Sequence, residues 1–447
     1  MEILQLTPGA GTMYCGNCLR DNALVAALRN LGHPVLMVPL YLPLTLDEAN
    51  QSAGTPIFFS GINVYLDQKS SWFRRAPGWV HHLLASSSLL KWAARRAGNT
   101  RAEDLGPLTL SMLRGEVGNQ ARELDDLLSW LKTQARPDVI FLSNALLLGM
   151  ARRLKAELDR PVVCMLQGED YFLDSLPEPH RSSCWKVLAE RAGEADLFIA
   201  PSRYFSDLMQ TRLALSPERV RVVYNGINLE GYRSPSWTGA NDWNGINPSP
   251  GPRHAVSVLG YLARICREKG VDTLVEAFIK LRQRGRIPNL RLCVAGSLGP
   301  ADQPLVDQLK KQLQAAGLNQ EAEFMPNVDR ATKLALLESF SVFSVPARYG
   351  EGFGLYVIEA LAAGTPVVQP RCAAFPELVE LTGGGILCEP ESPQALAENI
   401  ESLLLEPERA EALGAAGRRV VFEKLNADAM ARNVLEAVRS MECCLTK

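Results

Sequence analysis

Glu351-Gly352-Phe353-Gly354-Leu355-Tyr356-Val357-Ile358-Glu359 is the stretch on which the reading of this chain turns. Before it, Val342-Phe343-Ser344-Val345-Pro346 reads as a short buried strand. After it, Leu355, Ile358, Leu361 and Ala362 recur at helical spacing, so a helix is expected to begin near Gly354. A strand that passes through a glycine-flanked turn into a helix leaves several backbone N–H groups pointing one way, which suits an anion. Glu351 lies in the turn and Glu359 about two turns further along the helix. A carboxylate repels phosphate but accepts hydrogen bonds from hydroxyls. Phosphate together with several hydroxyls describes a nucleotide sugar. The competing reading is a plain packing turn ahead of an Ala-rich helix.

The rest of the chain bounds the choice. Its 447 residues suggest about two to three domains, each with material for a core. A hydrophobic content of 47% and a charged content of 21% are ordinary for a globular protein. The net charge of −2 gives no electrostatic case for nucleic acid. No apolar run approaches the ~18 residues that span a bilayer; the longest, Val35 to Leu44, is interrupted by Pro39 and Pro43. The opening Met-Glu-Ile-Leu-Gln-Leu-Thr-Pro lacks a basic start and a sustained apolar core, so no signal peptide is expected. Ten cysteines are scattered singly except Cys15/Cys18 and Cys443/Cys444, which is no disulfide framework and points to the cytoplasm.

Working outward from Glu351, strand and helix patterns alternate. Ile3 to Leu6 is a strand, Thr7 to Gly16 a Gly-rich loop, and Leu19, Ala23, Leu24, Ala27, Leu28 and Leu31 the apolar face of a helix; Val35 to Val38 is the next strand. Gly9, Gly11 and Gly16 do not follow the G-x-G-x-x-G spacing, which disfavours a dinucleotide site. Val139–Leu142, Val162–Leu166, Leu197–Ala200 and Val220–Val223 are further strands, with Ser202 an expected N-cap. Residues 233–254, with four prolines, read as a linker. Val256–Tyr261 then opens a second series, with strands near 290–295 and 323–325. Repeated strand–helix units imply parallel sheets covered on both faces. Arg264, Arg267 and Lys269 precede the helix marked by Val271, Leu274, Val275 and Phe278. Cations at a helix N-terminus oppose its dipole, which makes sense when an anion binds there; the bland reading is three solvated loop charges.

Two features stay open. Cys15-Gly16-Asn17-Cys18 spells C-x-x-C, which is half a zinc site, a redox pair, or two thiols packed at a loop–helix junction. Lys69 to Arg101 holds seven basic residues and no acidic one, interleaved with Trp72, Phe73, Trp79 and Trp92. It reads as a packed helical insertion or as a surface for an anionic membrane or lipid-linked acceptor.

The pair Glu351 and Glu359, with seven residues between them around the EGFG run, resembles the paired-glutamate motif of the family 4 retaining glycosyltransferases. The likeness extends to Cys15-Gly16, Ala195-Asp196 through Ser202, Tyr224 to Asn228, and Arg264 with Lys269. It implies an α/β GT-B fold, two Rossmann-like domains facing across a cleft: residues 1–232, with a helical insertion at about 45–120, and 255–419, with helix 420–447 crossing back to the first. It implies an enzyme of hexosyltransferase type that moves a sugar from a nucleoside diphosphate, UDP or GDP, to a glycan, lipid-linked or small-molecule hydroxyl. Arg264 and Lys269 would clasp the diphosphate and Gly16 would admit a donor phosphate. Glu351 would hold sugar hydroxyls with Gly352, Phe353, Gly354 and Leu355, Glu359 the ribose, and the backbone at Val328 the base. Gln167, Glu169 and Asp170 would face the acceptor. Neither a cofactor nor a metal is expected, and no D-x-D pair is present. Localisation is expected to be cytoplasmic, with weak peripheral contact at the membrane's inner face through residues 69–101. Two departures stand out: Gln167 where the family commonly has His, and Asn228 where it usually has Asp. Retention through a carboxylate nucleophile or through same-face attack within an ion pair are both open. The alternatives are a GT-B epimerase or hydrolase, and a non-catalytic nucleotide-sugar-binding protein.

Overall fold

The computed structural model describes residues 1–9, 15–59, 102–233 and 256–445. The chain divides into two compact units, Met1–Asn225 with Ala427–Lys447, and Gly226–Asn426. Lys69 to Arg101 with its tryptophans, residues 10–14 of the Gly-rich loop, and the linker from 234 onward lie outside the described residues.

In the first unit, β1 (Ile3–Thr7), β2 (Val35–Pro39), β3 (Val139–Leu142), β4 (Val162–Met165), β5 (Leu197–Ala200) and β6 (Val220–Val222) form one parallel sheet. Their order is β2-β1-β3-β4-β5-β6. Successive side chains of a strand face opposite ways. Leu4, Leu6, Ile140, Leu142 and Cys164 therefore enter one core, and Ile3, Val139, Phe141, Val163 and Met165 enter the other. With both faces covered, the strands read as unbroken apolar runs. Leu24, Val25 and Leu28 of α1 (Gly16–Asn30) cover the second face, beside Met430, Val434, Leu435 and Val438 of the chain's last helix, Ala427–Leu445. Those four recur at i, i+4, i+5 and i+8, one stripe of an α-helix.

The second unit repeats the plan. β7 (Val258–Leu262), β8 (Arg291–Gly296), β9 (Ala322–Pro326), β10 (Val342–Phe343), β11 (Val367–Pro370) and β12 (Gly385–Cys388) are all parallel, in the order β12-β11-β10-β7-β8-β9. Two of its helices concern the site, α2 (Val271–Arg284) and α3 (Leu355–Ala362). In this doubly wound order the chain leaves β7 toward one edge of the sheet and β10 toward the other. A crevice therefore opens beyond their carboxyl ends, where open α/β sheets bind ligands.

Several boundaries differ from the sequence reading. The second unit begins at Gly226 rather than after residue 232, because Arg330 donates to the carbonyls of Asn228 and Glu230. Residues 420–424 continue the helix Pro407–Lys424 of the second unit, and the break before the last helix comes at Leu425–Asn426. Gly16 is the first residue of α1 rather than the end of the loop, and the strand expected over 342–346 is two residues long. Among the described residues no helix is long and apolar enough to cross a membrane.

Leu435 is 4% exposed. Its replacement by Ala should cost about 2–5 kcal/mol as a cavity in an apolar core. Hydrogen exchange should then show lost protection in β1, β3 and β5 with β7 and β8 unchanged. Unaltered exchange in the first unit would contradict the packing of the last helix there.

Candidate active site

The loops that leave β7 and β10 are fastened together by the backbone. Arg348 N donates to the Glu268 carbonyl at 2.9 Å, and the Arg348 guanidinium bonds Thr273 Oγ1 at 3.0 Å and Asp272 Oδ2 at 3.1 Å. Gly270 caps α2 with φ +71°, and a Cβ there would lie 1.9 Å from the Pro346 carbonyl oxygen. Only glycine allows both that backbone and that approach. The residue before it, Lys269, is thereby set against the second loop.

Lys269 Nζ donates to Glu351 Oε2 at 2.5 Å. The same oxygen accepts from the phenols of Tyr349, at 2.9 Å, and Tyr356, at 2.8 Å. The ammonium also lies 4.9 Å from the Tyr349 ring centre and 4.8 Å from that of Tyr356, within cation–π range. Burial opposes the charge on Glu351, but Lys269 and the two phenols outweigh it and hold the carboxyl below its usual range. Burial, and the Glu351 charge after it, push both tyrosines up, so they stay protonated donors. The side chains of Lys269 and Glu351 are 17% and 14% exposed.

The other expected residues of this unit gather at the same carboxyl edge with partners of their own. Arg264 donates to Asp302 Oδ2 from Nε at 3.1 Å and from a terminal nitrogen at 2.9 Å. Arg267 reaches Asp272 at 3.3 Å. Each loop cation thus has a counter-charge within the fold: Asp302 for Arg264, Asp272 for Arg267 and Glu351 for Lys269. Arg264 is 56% exposed and Asp302 15%, so the guanidinium faces solvent and can turn from its carboxylate to a phosphate. Glu359 Oε1 takes Lys333 Nζ at 3.1 Å. Gly354, at φ +89°, caps α3, Phe353 is buried, and Leu355 is the first helical residue. Before Val328, Asn327 turns left-handed at φ +57°; its N–H donates to the Gly296 carbonyl at the end of β8.

The acceptor-side candidates lie in the first unit beyond β4. Glu169 accepts the amides of Ala145 at 2.7 Å and of Gln167 and Gly168 at 2.9 Å each. It caps this turn, so its oxygens are already engaged in the fold rather than offered to a ligand. Gln167 and Asn225 pair through their amides at 3.3 and 3.4 Å. Asp170 differs: among the described residues its Oδ1 is buried without a hydrogen-bond partner. Burial, opposed by the Tyr171 amide and reinforced by the Glu169 charge, pushes its carboxyl up to about 6. Among the described residues no three His, Cys, Asp or Glu side chains gather as metal ligands. Tyr349, Tyr356, Asp302 and Lys333 were missed from sequence. Tyr349 and Tyr356 flank Glu351 at −2 and +5, a signal only once the turn is known to fold back on itself.

Two family descriptions match the chain: "Glycosyltransferase Family 4" over residues 59–230 and "Glycosyl transferases group 1" over 247–420. The D-inositol 3-phosphate glycosyltransferase 1 of Catenulispora acidiphila is 31% identical over 51% of this chain and 54% of its own length. A glycogen synthase of Mycobacterium tuberculosis is 27% identical over 72% of each chain. The chain thus spans about half the length of the inositol phosphate glycosyltransferases it matches, 54% and 48% in two of them. Among solved structures, sucrose-phosphate synthase from Thermosynechococcus elongatus superposes with TM-score 0.70 at 18% identity, covering 99% of this chain and 100% of that one. Anabaena HepE in complex with UDP-glucose gives 0.63 at 18%, covering 98% and 100%. These likenesses show the GT-B fold, with two Rossmann-like domains.

Tyr356→Phe keeps the ring beside Lys269 and deletes one donor to Glu351. A hydrogen bond to a charged group is worth about 1.5–3 kcal/mol, so the variant should lose that much stability at pH 7. Glu351 has a lowered folded pKa; the stability it confers is present above the ordinary carboxylate range and lost as pH falls through the folded value. Denaturant unfolding against pH should therefore show the deficit shrinking in acid. A deficit independent of pH would contradict the phenol's role.

Proposed function

We propose, since this chain belongs to the family 4 glycosyltransferases, that it transfers a sugar with retention from a nucleoside diphosphate to an acceptor hydroxyl without a metal. One observation carries this reading: a lysine held beside two tyrosine rings on a carboxylate, beyond β7 and β10, where the strand order reverses. The diphosphate would draw Lys269 off Glu351 and the exposed Arg264 off Asp302, and both cations would neutralise the charge that develops on the leaving group. Glu351, still hydrogen-bonded by Tyr349 and Tyr356, would stay ionised and turn to the sugar hydroxyls. Gly352, Phe353, Gly354 and Leu355 would line the sugar, Glu359 the ribose and Val328 the base, with Gly16 beside a donor phosphate.

On the acceptor side, Asp170 is proposed to take the hydroxyl hydrogen bond, with Gln167 beside it in the place of the family's histidine. A carboxyl near 6 is better poised than Gln167 to accept a proton near neutral pH. HepE, which shares the fold, is known with UDP-glucose bound, the class of donor proposed here. The acceptor is proposed to be a glycan, lipid-linked or small-molecule hydroxyl. Residues 69–101 are proposed to give weak peripheral membrane contact in the cytoplasm.

Release of nucleoside diphosphate from UDP- and GDP-sugars, with and without acceptor hydroxyls, tests the reading; release should require an acceptor. Glu351→Gln should lower kcat by about 10² with little change in KM, because it acts beside the reacting carbon. Glu359→Ala should raise the donor KM and leave kcat close to wild type. If both variants altered KM alone, the roles given to the two glutamates would be wrong.

A further inference from the structure

The transfer reaction uses neither cysteine at the start of α1. Cys15 is the N-cap, with φ −121° and ψ 120°, and Cys18 lies three residues on in the first helical turn. Residues three apart on a helix share a face with Cβ atoms about 5–6 Å apart, within reach of a disulfide after a small adjustment. The two thiols are unequally placed. Cys18 is 0% exposed inside the apolar layer between α1 and the sheet, whereas Cys15 packs on the rim of that layer and is partly exposed. One thiol can therefore be reached from solvent and the other can be reached from the first.

Their chemistry is unequal in the same sense. The Cys18 thiol donates to Cys15, and with the amides of Cys18 and Asn17 it outweighs burial and the nearby Asp21 charge, bringing the Cys15 thiol down to about 7. Cys18, as the donor, is pushed up. Cys164, Cys184, Cys266, Cys293, Cys372 and Cys388 are all raised by burial. Among the described residues Cys15 alone has a lowered thiol. A thiolate at a helix start, paired in C-x-x-C, is the nucleophilic form of cysteine.

We propose that Cys15 and Cys18 form a thiol–disulfide exchange site for low-molecular-weight disulfides of the glutathione disulfide class. The Cys15 thiolate attacks one sulfur of the disulfide, forming a mixed disulfide and expelling one thiolate. Cys18 then gives up its proton and its sulfur attacks Cys15 Sγ, closing the Cys15–Cys18 bond and expelling the second thiolate. The two protons lost by the protein end on the two released thiols. The protein dithiol is oxidised and the small disulfide is reduced, with no other reactant.

The test is incubation of the full chain with glutathione disulfide at neutral pH, followed by intact mass and peptide mapping. The wild type should lose two hydrogens, with Cys15 and Cys18 joined in one peptide. Cys18→Ser should stop one step earlier, with a single glutathionyl group on Cys15, and Cys15→Ser should leave Cys18 unmodified. Cys15 unreacted in Cys18→Ser, or a wild type glutathionylated elsewhere while the pair stays reduced, would overturn the proposal. Because Cys18 is a core residue, the wild type supplies an independent readout. Limiting iodoacetamide should label Cys15 before every other cysteine, and labelling that begins elsewhere would also overturn it.

Discussion

The contact between Lys269 and Glu351 joins residues 82 positions apart in sequence, and the second unit is built so that they meet. The parallel order places β7 beside β10, Gly270 lets the first loop press on Pro346, and Arg348 ties the loops by backbone and side chain. At 17% and 14% exposure neither charge is well hydrated. Removing one partner of such a pair typically costs about 3–5 kcal/mol, because the other is left buried and uncompensated. Glu351 is partly protected against that loss by its two phenols. Lys269 has aromatic faces but, among the described residues, no second carboxylate at its ammonium. A ligand that takes the lysine must therefore bring negative charge of its own, and a diphosphate does.

The first unit uses the same reversal of strand order for a different end. Beyond β1 and β3, Asp21 of α1 accepts Thr7 Oγ1 at 2.5 Å and the Ser143 hydroxyl, and lies 3.0 Å from Arg20 Nε. Arg20 in turn donates to Asn17 at 2.7 Å and to the Ser143 carbonyl at 2.8 Å. Both side chains are fully buried, and burial raises the Asp21 carboxyl in spite of those partners. Here the polar groups pin a helix to the sheet rather than wait for a ligand. Exposure separates the two cases: the Arg264–Asp302 pair is open enough to exchange partners, and the Arg20–Asp21 pair is sealed.

What was legible in the sequence follows from the range of each interaction. Strands such as Val139–Leu142 could be read because a sheet covered on both faces demands an unbroken apolar run. Ser202 could be read as a cap because its partner, Phe205 N, is three residues away. The EGFG turn and its helix were visible for the same reason. The counter-charges were not: Asp302 is 38 residues from Arg264, and Lys333 is 26 from Glu359. Nor did the sequence show that Glu169 is consumed by the amides of Gln167 and Gly168 in its own turn and of Ala145, 24 residues away, while Oδ1 of the adjacent Asp170 is left without a partner among the described residues. Period and composition describe single elements, whereas which charge meets which depends on strand order.

In the proposed function the loop ending in Lys269 receives a diphosphate. Calorimetric titration of the full chain with UDP and GDP, each beside its monophosphate, tests it most directly, repeated on Lys269→Gln. At least one diphosphate should bind about tenfold or more tightly than its monophosphate, a difference of about 1.4 kcal/mol or more. The gap should narrow in the variant. Diphosphate and monophosphate binding alike to the wild type, or a gap that survives the loss of the lysine charge, would contradict it.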